Sequence, residues 1–396
     1  MGIRPLNKIR VLDLTQGICG PFCTQLLGDL GAEIIKIEPP EGDKSRKMGT
    51  RYGETSLTYI HTNRGKKSVV LDLEKETQKK ILFRLAEQAD LVVEDLGPDK
   101  ADEMGIGYEE LKKVKPDLLY LAITSFGRTG EFKDYPATDA VIQAMSGYMS
   151  LTSVNFKGDF TKIGPPLADL FAGVYAAIAA VAGVIHKKKT GTGLRMDVSK
   201  LGAMLQAMGD GYAKYLSSGE TGFPTGNAHR MSASFYPMPA KDGAIVCNAA
   251  NRNTTEHKFE DFCDGIGMPD FYKDERYATD ESRLAHRDEV AKAIDAHTSQ
   301  MTVAEIESLC RKSGIACGVM NDMAQLAADP QTVHDKVIIE VHDQEAGDFK
   351  VLGCPFKFDA FSVPSDDFVD QLGEHTQEIL AELLGMTAEE AAALKE

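Results

Sequence analysis

Ile9-Arg10-Val11-Leu12-Asp13-Leu14 is followed by a break from Gly17 to Pro21, then by Phe22, Leu26, Leu27 and Leu30 at helical spacing. The opening run is short and apolar, as a strand buried on both faces must be. Pro21 suits a first helical turn, and Gly31 ends the helix. Ala32 to Ile37 (AEIIKI) reads as the next strand, stopped by Pro39 and Pro40. Ser68 to Leu73 gives a third strand and Thr77 to Gln88 a helix. Asp90 to Glu94 is a fourth strand; after a further helix comes Leu118 to Ser125. Strands separated by helices of about 10 to 15 residues predict an α/β fold, a parallel sheet with crossover helices.

The chain has 396 residues, 43% of them hydrophobic, enough for two domains and a sizeable core. Lys and Arg number 44 against 60 Asp and Glu, a net charge of −16. That balance argues against non-specific nucleic-acid binding and against an anionic membrane surface, so neither partner is expected. The seven cysteines are scattered, and Cys19 and Cys23 form no repeated pair. They read as reduced thiols, and no secretory leader opens the chain, so a cytoplasmic protein is expected. Leu170 to His186 is apolar and rich in Ala and Gly; a close-packed buried helix is preferred over a membrane span. Gly222 to Arg230 reads as a linker or binding loop. Beyond it come a strand at Ala244 to Asn248 and helices at Glu289 to Ser299 and Val303 to Ser313. A strand at Lys336 to Val341 and a helix from Thr376 follow, and this last stretch is expected to return to the first unit.

Several chemistries lack their motifs. No H-E-x-x-H or paired C-x-x-C occurs, so no metal is expected. No G-x-x-x-x-G-K-[ST], no G-x-G-x-x-G after the first strand and no G-x-S-x-G are present. Gly164-Pro165-Pro166-Leu167-Ala168-Asp169 places one carboxylate where a Pro-rich turn meets a long apolar helix. Asp169 reads either as an N-cap or as a carboxylate nucleophile, kept ionised by the helix terminus, whose free N–H groups would also stabilise an oxyanion. Asn63-Arg64-Gly65-Lys66-Lys67-Ser68 is either a solvated turn or a phosphate contact, with Arg46 and Lys47 adding to the basic region. Asp139 offers a second carboxylate that would divide roles with Asp169. His229, after Gly226 and Asn227, reads as an exposed loop histidine rather than a base.

Together these segments resemble the class III (formyl-CoA and carnitine type) CoA-transferases over essentially the whole chain. The matching motifs are Arg10 to Thr15 with Gly20-Pro21, Gln25 to Ala32, Ile35 to Pro40 and Asn63 to Ser68. Gly127-Arg128-Thr129-Gly130, Leu167-Ala168-Asp169-Leu170 and Leu372-Gly373-Glu374-His375-Thr376 complete the set. The resemblance implies a Rossmann-like large domain, residues 1–220 with 326–396, and a smaller α+β domain, 221–325, in an interlocked homodimer. It implies transfer of CoA from an acyl-CoA to a small free carboxylic acid, with no permanently bound cofactor. Asp169 would pass through a mixed anhydride and an aspartyl-CoA thioester.

Carried over by motif, the implied CoA contacts are Ile18, Cys19, Leu71, Asp72, Leu73, Asp95, Leu96, Gly97 and Met104. Asp139, Gly226 and Asn227 fall at substrate positions. Pro39 and Glu103 stand where relatives carry Arg, so Arg46, Lys66 or Lys100 is expected to face the CoA phosphates. The alternative within the family is an α-methylacyl-CoA racemase. Those enzymes place a histidine where this chain has Thr138, and threonine is no base near neutral pH, which favours CoA transfer.

Overall fold

A computed structural model describes residues 3–52, 55–153, 159–222, 224–250, 257–343, 347–361 and 368–395. The chain forms two compact units: Met1–Tyr148 with Lys162–Ser217 and Pro330–Glu396, and Met149–Thr161 with Ser218–Asp329. The sequence reading ran the first domain unbroken to residue 220. Instead, Met149–Thr161 belongs to the second unit, where Ser153 O accepts from Gly226 N at 2.9 Å.

In the first unit six strands pair in parallel in the order β3-β2-β1-β4-β5-β6. They are β1 (Arg10–Asp13), β2 (Glu33–Glu38), β3 (Lys67–Val70), β4 (Leu91–Glu94), β5 (Leu119–Thr124) and β6 (Leu194–Ser199). The principal helices between them are α1 (Cys19–Asp29), α2 (Leu57–Asn63), α3 (Glu76–Glu87), α4 (Tyr108–Val114), α5 (Asp139–Met145) and α6 (Leu167–Thr190). Helix α7 (Lys200–Ala207) follows β6. Alternate strand residues serve opposite cores. Leu12, Ile35, Val92 and Tyr120 face one cluster, while Val11, Ile34, Leu91 and Leu121 face the other. Strand β6 was not foreseen: Leu194, Met196 and Val198 alternate with Arg195 and Asp197 on a half-buried edge, too polar to read as a core strand.

Helix α6 crosses one face of this sheet. Its buried stripe of Ala172, Gly173, Ala176, Ala180 and Gly183 packs within the first unit, as expected for a core helix rather than a span. A Cβ at Gly173 would lie 2.9 Å from the Cys19 carbonyl oxygen and 3.0 Å from the Phe22 ring, so only glycine lets α1 and α6 come this close. The other side of α6 presents Phe171, Val174, Tyr175, Ile178 and Ile185 to the surface.

The C-terminal stretch protects the free edge of β3. Asp370 Oδ2 accepts from Ser68 N at 2.9 Å, Gly373 N donates to Ser68 Oγ at 2.8 Å, and Thr376 Oγ1 accepts from Val70 N at 3.0 Å. The second unit has its own antiparallel sheet, with Gly243–Asn248 between Phe235–Ala240 and Ala316–Val319. Its core includes Phe259, Phe262, Ile294 and Ile306. Among the cysteines Cys19, Cys23, Cys247, Cys263 and Cys310 are buried, and all seven are free thiols.

A buried ionic cluster closes the carboxyl end of β1. Asp13, at the end of that strand, accepts from Thr15 N at 3.0 Å, Thr24 Oγ1 at 2.6 Å and Lys66 Nζ at 3.0 Å. Lys66 also donates to Pro21 O, Thr24 Oγ1 and Asn63 Oδ1 at 2.8–2.9 Å. From β2, Lys36 Nζ donates to Thr15 O at 2.8 Å and pairs with Asp43 at 2.8 Å. Burial pushes the Asp13 carboxyl up, but the Lys36 and Lys66 ammoniums outweigh it and hold it well below the usual carboxylate range. Every partner satisfies another, so removing one strands a buried charge. We predict that Asp13→Ala lowers unfolding free energy by about 3–5 kcal/mol in urea titrations, while the exposed change Glu76→Ala leaves the midpoint nearly where it is in the wild type. Equal midpoints for the two variants would refute the network's structural weight.

Candidate active site

Helix α6 begins with Leu167, and its N-cap Pro166 has no side-chain acceptor to offer. The orphan amides of the first turn must therefore be satisfied from elsewhere. Asp139, the first residue of α5, supplies the acceptor. Its Oδ1 takes Ala168 N at 2.7 Å and Asp169 N at 3.2 Å, and its Oδ2 takes Gln143 Nε2 at 2.7 Å. Asp169 is thus neither the N-cap nor surrounded by free N–H donors, as one reading of the sequence had it. It is the third helical residue, capped in trans by a second carboxylate. That arrangement leaves the Asp169 side chain available.

The Asp169 side chain is 13% exposed, and its Oδ1 lies 2.6 Å from Lys200 Nζ. Both line a cavity of about 550 Å³, all of whose lining residues are in the first unit. Its walls include the β1–α1 turn (Gln16, Gly17, Ile18, Cys19), the loop after β4 (Asp95, Leu96, Gly97), Lys44 and Asp139. A second cavity of about 300 Å³, which also has Gln16 and Leu96 in its wall, is lined by Leu71, Asp72, Leu73 and Met104. Glu38, Glu41 and Glu74 line it too, and among the described residues no Lys or Arg does. The Asp13 cluster holds the first wall in place. A Cβ at Gly20 would come within 2.3 Å of the Thr15 side chain, so glycine is needed for the turn to fold over that threonine.

Charge in the first cavity is unevenly distributed. Burial raises Asp95 to about 6 against the Lys44 charge and a hydrogen bond from Gln16 N, 2.9 Å away. Outside the cavity wall, burial likewise lifts the adjacent Glu94 to about 7. The Cys19 thiol is pushed up by burial, so it stays protonated and is no nucleophile near neutral pH. Burial opposes the charge on Lys200, yet the Asp169 carboxylate more than offsets it and keeps the amine protonated. Among the carboxylates lining the cavity, Asp169 is the one paired with Lys200.

The structure gathers Ile18, Cys19, Asp95, Leu96, Gly97, Asp139 and Asp169 around one cavity and Leu71, Asp72, Leu73 and Met104 around its neighbour. Arg46 lines neither. Its guanidinium pairs with Glu38 at 2.7 Å and stacks 3.8 Å over the Tyr59 ring. The basic run is also not a phosphate site: Lys66 is inside the Asp13 cluster, and Arg64 is buried against Asp29 at 2.8 Å. Two strands packed over a helix leave those cations facing inward, which charge counting cannot reveal. Gly226 and Asn227 belong to the second unit, where His229 stacks on Phe235 with ring centroids 5.0 Å apart.

Lys200 was missed. It opens α7, where the helix dipole disfavours a cation. A lysine directly after the N-cap Ser199 was the available signal that a distant carboxylate compensates it.

The cavity thus brings a carboxylate paired with a lysine beside the loops that follow β1 and β4. A family model described as CoA-transferase family III matches residues 6–376, and the chain belongs to that family. It is 33% identical over 384 residues to human succinyl-CoA:glutarate CoA-transferase, covering 96% of this chain and 86% of the relative. It is also 33% identical over 364 residues to acetyl-CoA:oxalate CoA-transferase of Acetobacter aceti, 91% of each chain. The crystal structure of a CAIB/BAIF family protein from Brucella suis superposes with TM-score 0.87 at 32% identity, covering 97% of this chain and all of that one. The protein is a CoA-transferase with a mixed α/β fold.

Asp139→Ala removes the cap shared by two amides. Its expected cost is about 0.5–2 kcal/mol of stability, with faster hydrogen exchange at Ala168 and Asp169 than at mid-helix Ala180. Unchanged exchange at the two capped amides would refute the assignment.

Proposed function

We propose that this chain transfers CoA from an acyl-CoA to a free carboxylate through covalent intermediates on Asp169. The observation carrying the reading is the placement of that carboxylate, its backbone N–H capped by Asp139, in a cavity beside the residues matched to CoA contacts. An Asp169 oxygen attacks the thioester carbonyl, forming a mixed anhydride and expelling CoA thiolate. The thiolate attacks the Asp169 carbonyl carbon, forming the aspartyl-CoA thioester and releasing the donor's acid as carboxylate. The acceptor carboxylate reverses the two steps, so thioester energy is retained and no external base is required. Water must be excluded meanwhile, which a largely enclosed carboxylate favours.

CoA would lie along the two cavities, with Ile18, Cys19 and Asp95 to Gly97 near the thiol end and Leu71 to Leu73 and Met104 beyond. Arg46 and Lys66 are engaged internally. That leaves Lys100, exposed and close to Gly97, as the cation for the phosphates. The names of the relatives suggest small dicarboxylates, and a panel of succinyl-CoA against glutarate, oxalate and citramalate is the first assay. Wild type should accumulate a CoA adduct on Asp169 with succinyl-CoA alone, seen by peptide mass spectrometry, and Asp169→Ala should lose about 10³-fold or more in kcat. Full activity in that variant would end the proposal.

The apolar stripe of Phe171, Val174, Tyr175, Ile178 and Ile185 favours coverage by a second copy, the homodimer that the family resemblance implies. Light scattering should return twice the 43.1 kDa of one chain. A monomer at micromolar concentration would exclude the dimer.

A further inference from the structure

The reaction just proposed turns Asp169 from an anion into a neutral acyl derivative, and the group paired with that anion is a cation. Lys200 Nζ sits 2.6 Å from Asp169 Oδ1, its side chain 20% exposed. Among the described residues this is its one ion pair within 4.0 Å. Its backbone opens α7, whose Ser199 cap already satisfies Gly202 N at 3.1 Å, so the local helix field opposes the ammonium rather than stabilising it. Nor are the first-turn amides of α6 free to hold an incoming carboxylate, because Ala168 N and Asp169 N already donate to Asp139. The Cys19 thiol stays neutral, and the Asp95 carboxyl acts on Lys200 only as a more distant charge, beyond ion-pair distance.

When Asp169 becomes an anhydride or a thioester, Lys200 keeps its proton and loses its counter-ion. A secluded ammonium without a partner is unfavourable, and the reaction itself provides one anion of matching chemistry at that moment. We propose that Lys200 is the carboxylate-binding residue of the site: its ammonium passes from Asp169 to the substrate carboxylate while Asp169 carries CoA, and passes back when Asp169 is regenerated. The inference rests on the Asp169 reading and extends it to substrate recognition.

In the acceptor half-reaction, one carboxylate oxygen pairs with Nζ while the other forms a bond to the Asp169 carbonyl carbon. The carbon–sulfur bond breaks and CoA leaves as thiolate. The thiolate then attacks the acceptor's acyl carbon, the anhydride carbon–oxygen bond on that side breaks, and the electron pair returns to Asp169 as carboxylate beside Lys200. No proton is transferred, so the lysine acts by charge and position alone. Neutral nucleophiles gain nothing from it. The distinction makes Lys200 a filter: it admits an anion to the loaded aspartate and gives water no comparable hold.

The test uses full-length wild type, Lys200→Met and Lys200→Arg, with succinyl-CoA as donor and the fastest acid of the panel as acceptor. Each protein is loaded with succinyl-CoA, and discharge of the Asp169 adduct is followed by mass spectrometry with that acid or with neutral hydroxylamine. For Lys200→Met the acid should discharge the adduct about 100-fold more slowly than in wild type, while hydroxylamine discharges it within about threefold of the wild-type rate. The acceptor KM should rise about tenfold or more with the donor KM nearly unchanged, and Lys200→Arg should recover much of the loss. Equal slowing for acid and hydroxylamine would show a merely structural role, and wild-type discharge by the acid would show none; either overturns the inference. If Lys200→Met does not fold, Lys200→Gln replaces it in the same acid-against-hydroxylamine comparison, with the same outcomes supporting or overturning the inference. Failure of wild type to form any adduct on Asp169 would instead overturn the nucleophile assignment.

Discussion

The charge cluster around Asp13 is the constraint on which the first unit depends. A carboxylate at the end of a central strand cannot be buried alone, and here two lysines and two threonines meet it from the turn after β1, from α1, from β2 and from the segment before β3. Its consequence is positional. Lys36 holds Thr15 O, Asp43 holds Gly17 N at 2.9 Å, and Asp95 holds Gln16 N, so the turn after β1 is tied at successive residues. That turn is one wall of the Asp169 cavity. A solvated loop in its place would leave the cavity without a defined shape, and the ionic cluster stands where an apolar core could not bind backbone groups.

The opposite wall obeys a similar logic with the signs arranged differently. Helix α6 starts after two prolines and so lacks a local cap, and Asp139 provides one from the neighbouring helix. Two carboxylates thereby approach one helix terminus without sharing a function: Asp139 neutralises the amides, and Asp169 is turned towards Lys200. Division of roles between the pair arises from which hydrogen-bond donors each meets rather than from their intrinsic acidity. Close packing completes the arrangement, because the small residues of α6 bring the Cys19 end of α1 directly against the turn that bears Asp169.

Much of the first unit was legible in order along the chain. Five of the six strands in its parallel sheet follow from short apolar runs bounded by Gly and Pro, and they lie within a few residues of the expected positions. The sixth escaped because Arg195 and Asp197 dilute its apolar character, as an edge strand permits. The excursion of Met149–Thr161 escaped because nothing in its composition differs from the loops around it.

The local pattern of apolar runs, breakers and helical spacing determined the parallel α/β sheet and singled out Asp169 at the start of a greasy helix, because strand and helix periodicities are properties of neighbouring residues. Which charges face inward and which face a ligand was decided only in three dimensions. Lys66 and Arg64 sit in a run that reads as a basic surface, yet they neutralise Asp13 and Asp29, while Lys200, unremarked in sequence, meets Asp169 across 31 residues. A charge's role is set by the counter-charge it meets, and strand order and helix packing, not adjacency along the chain, choose that partner.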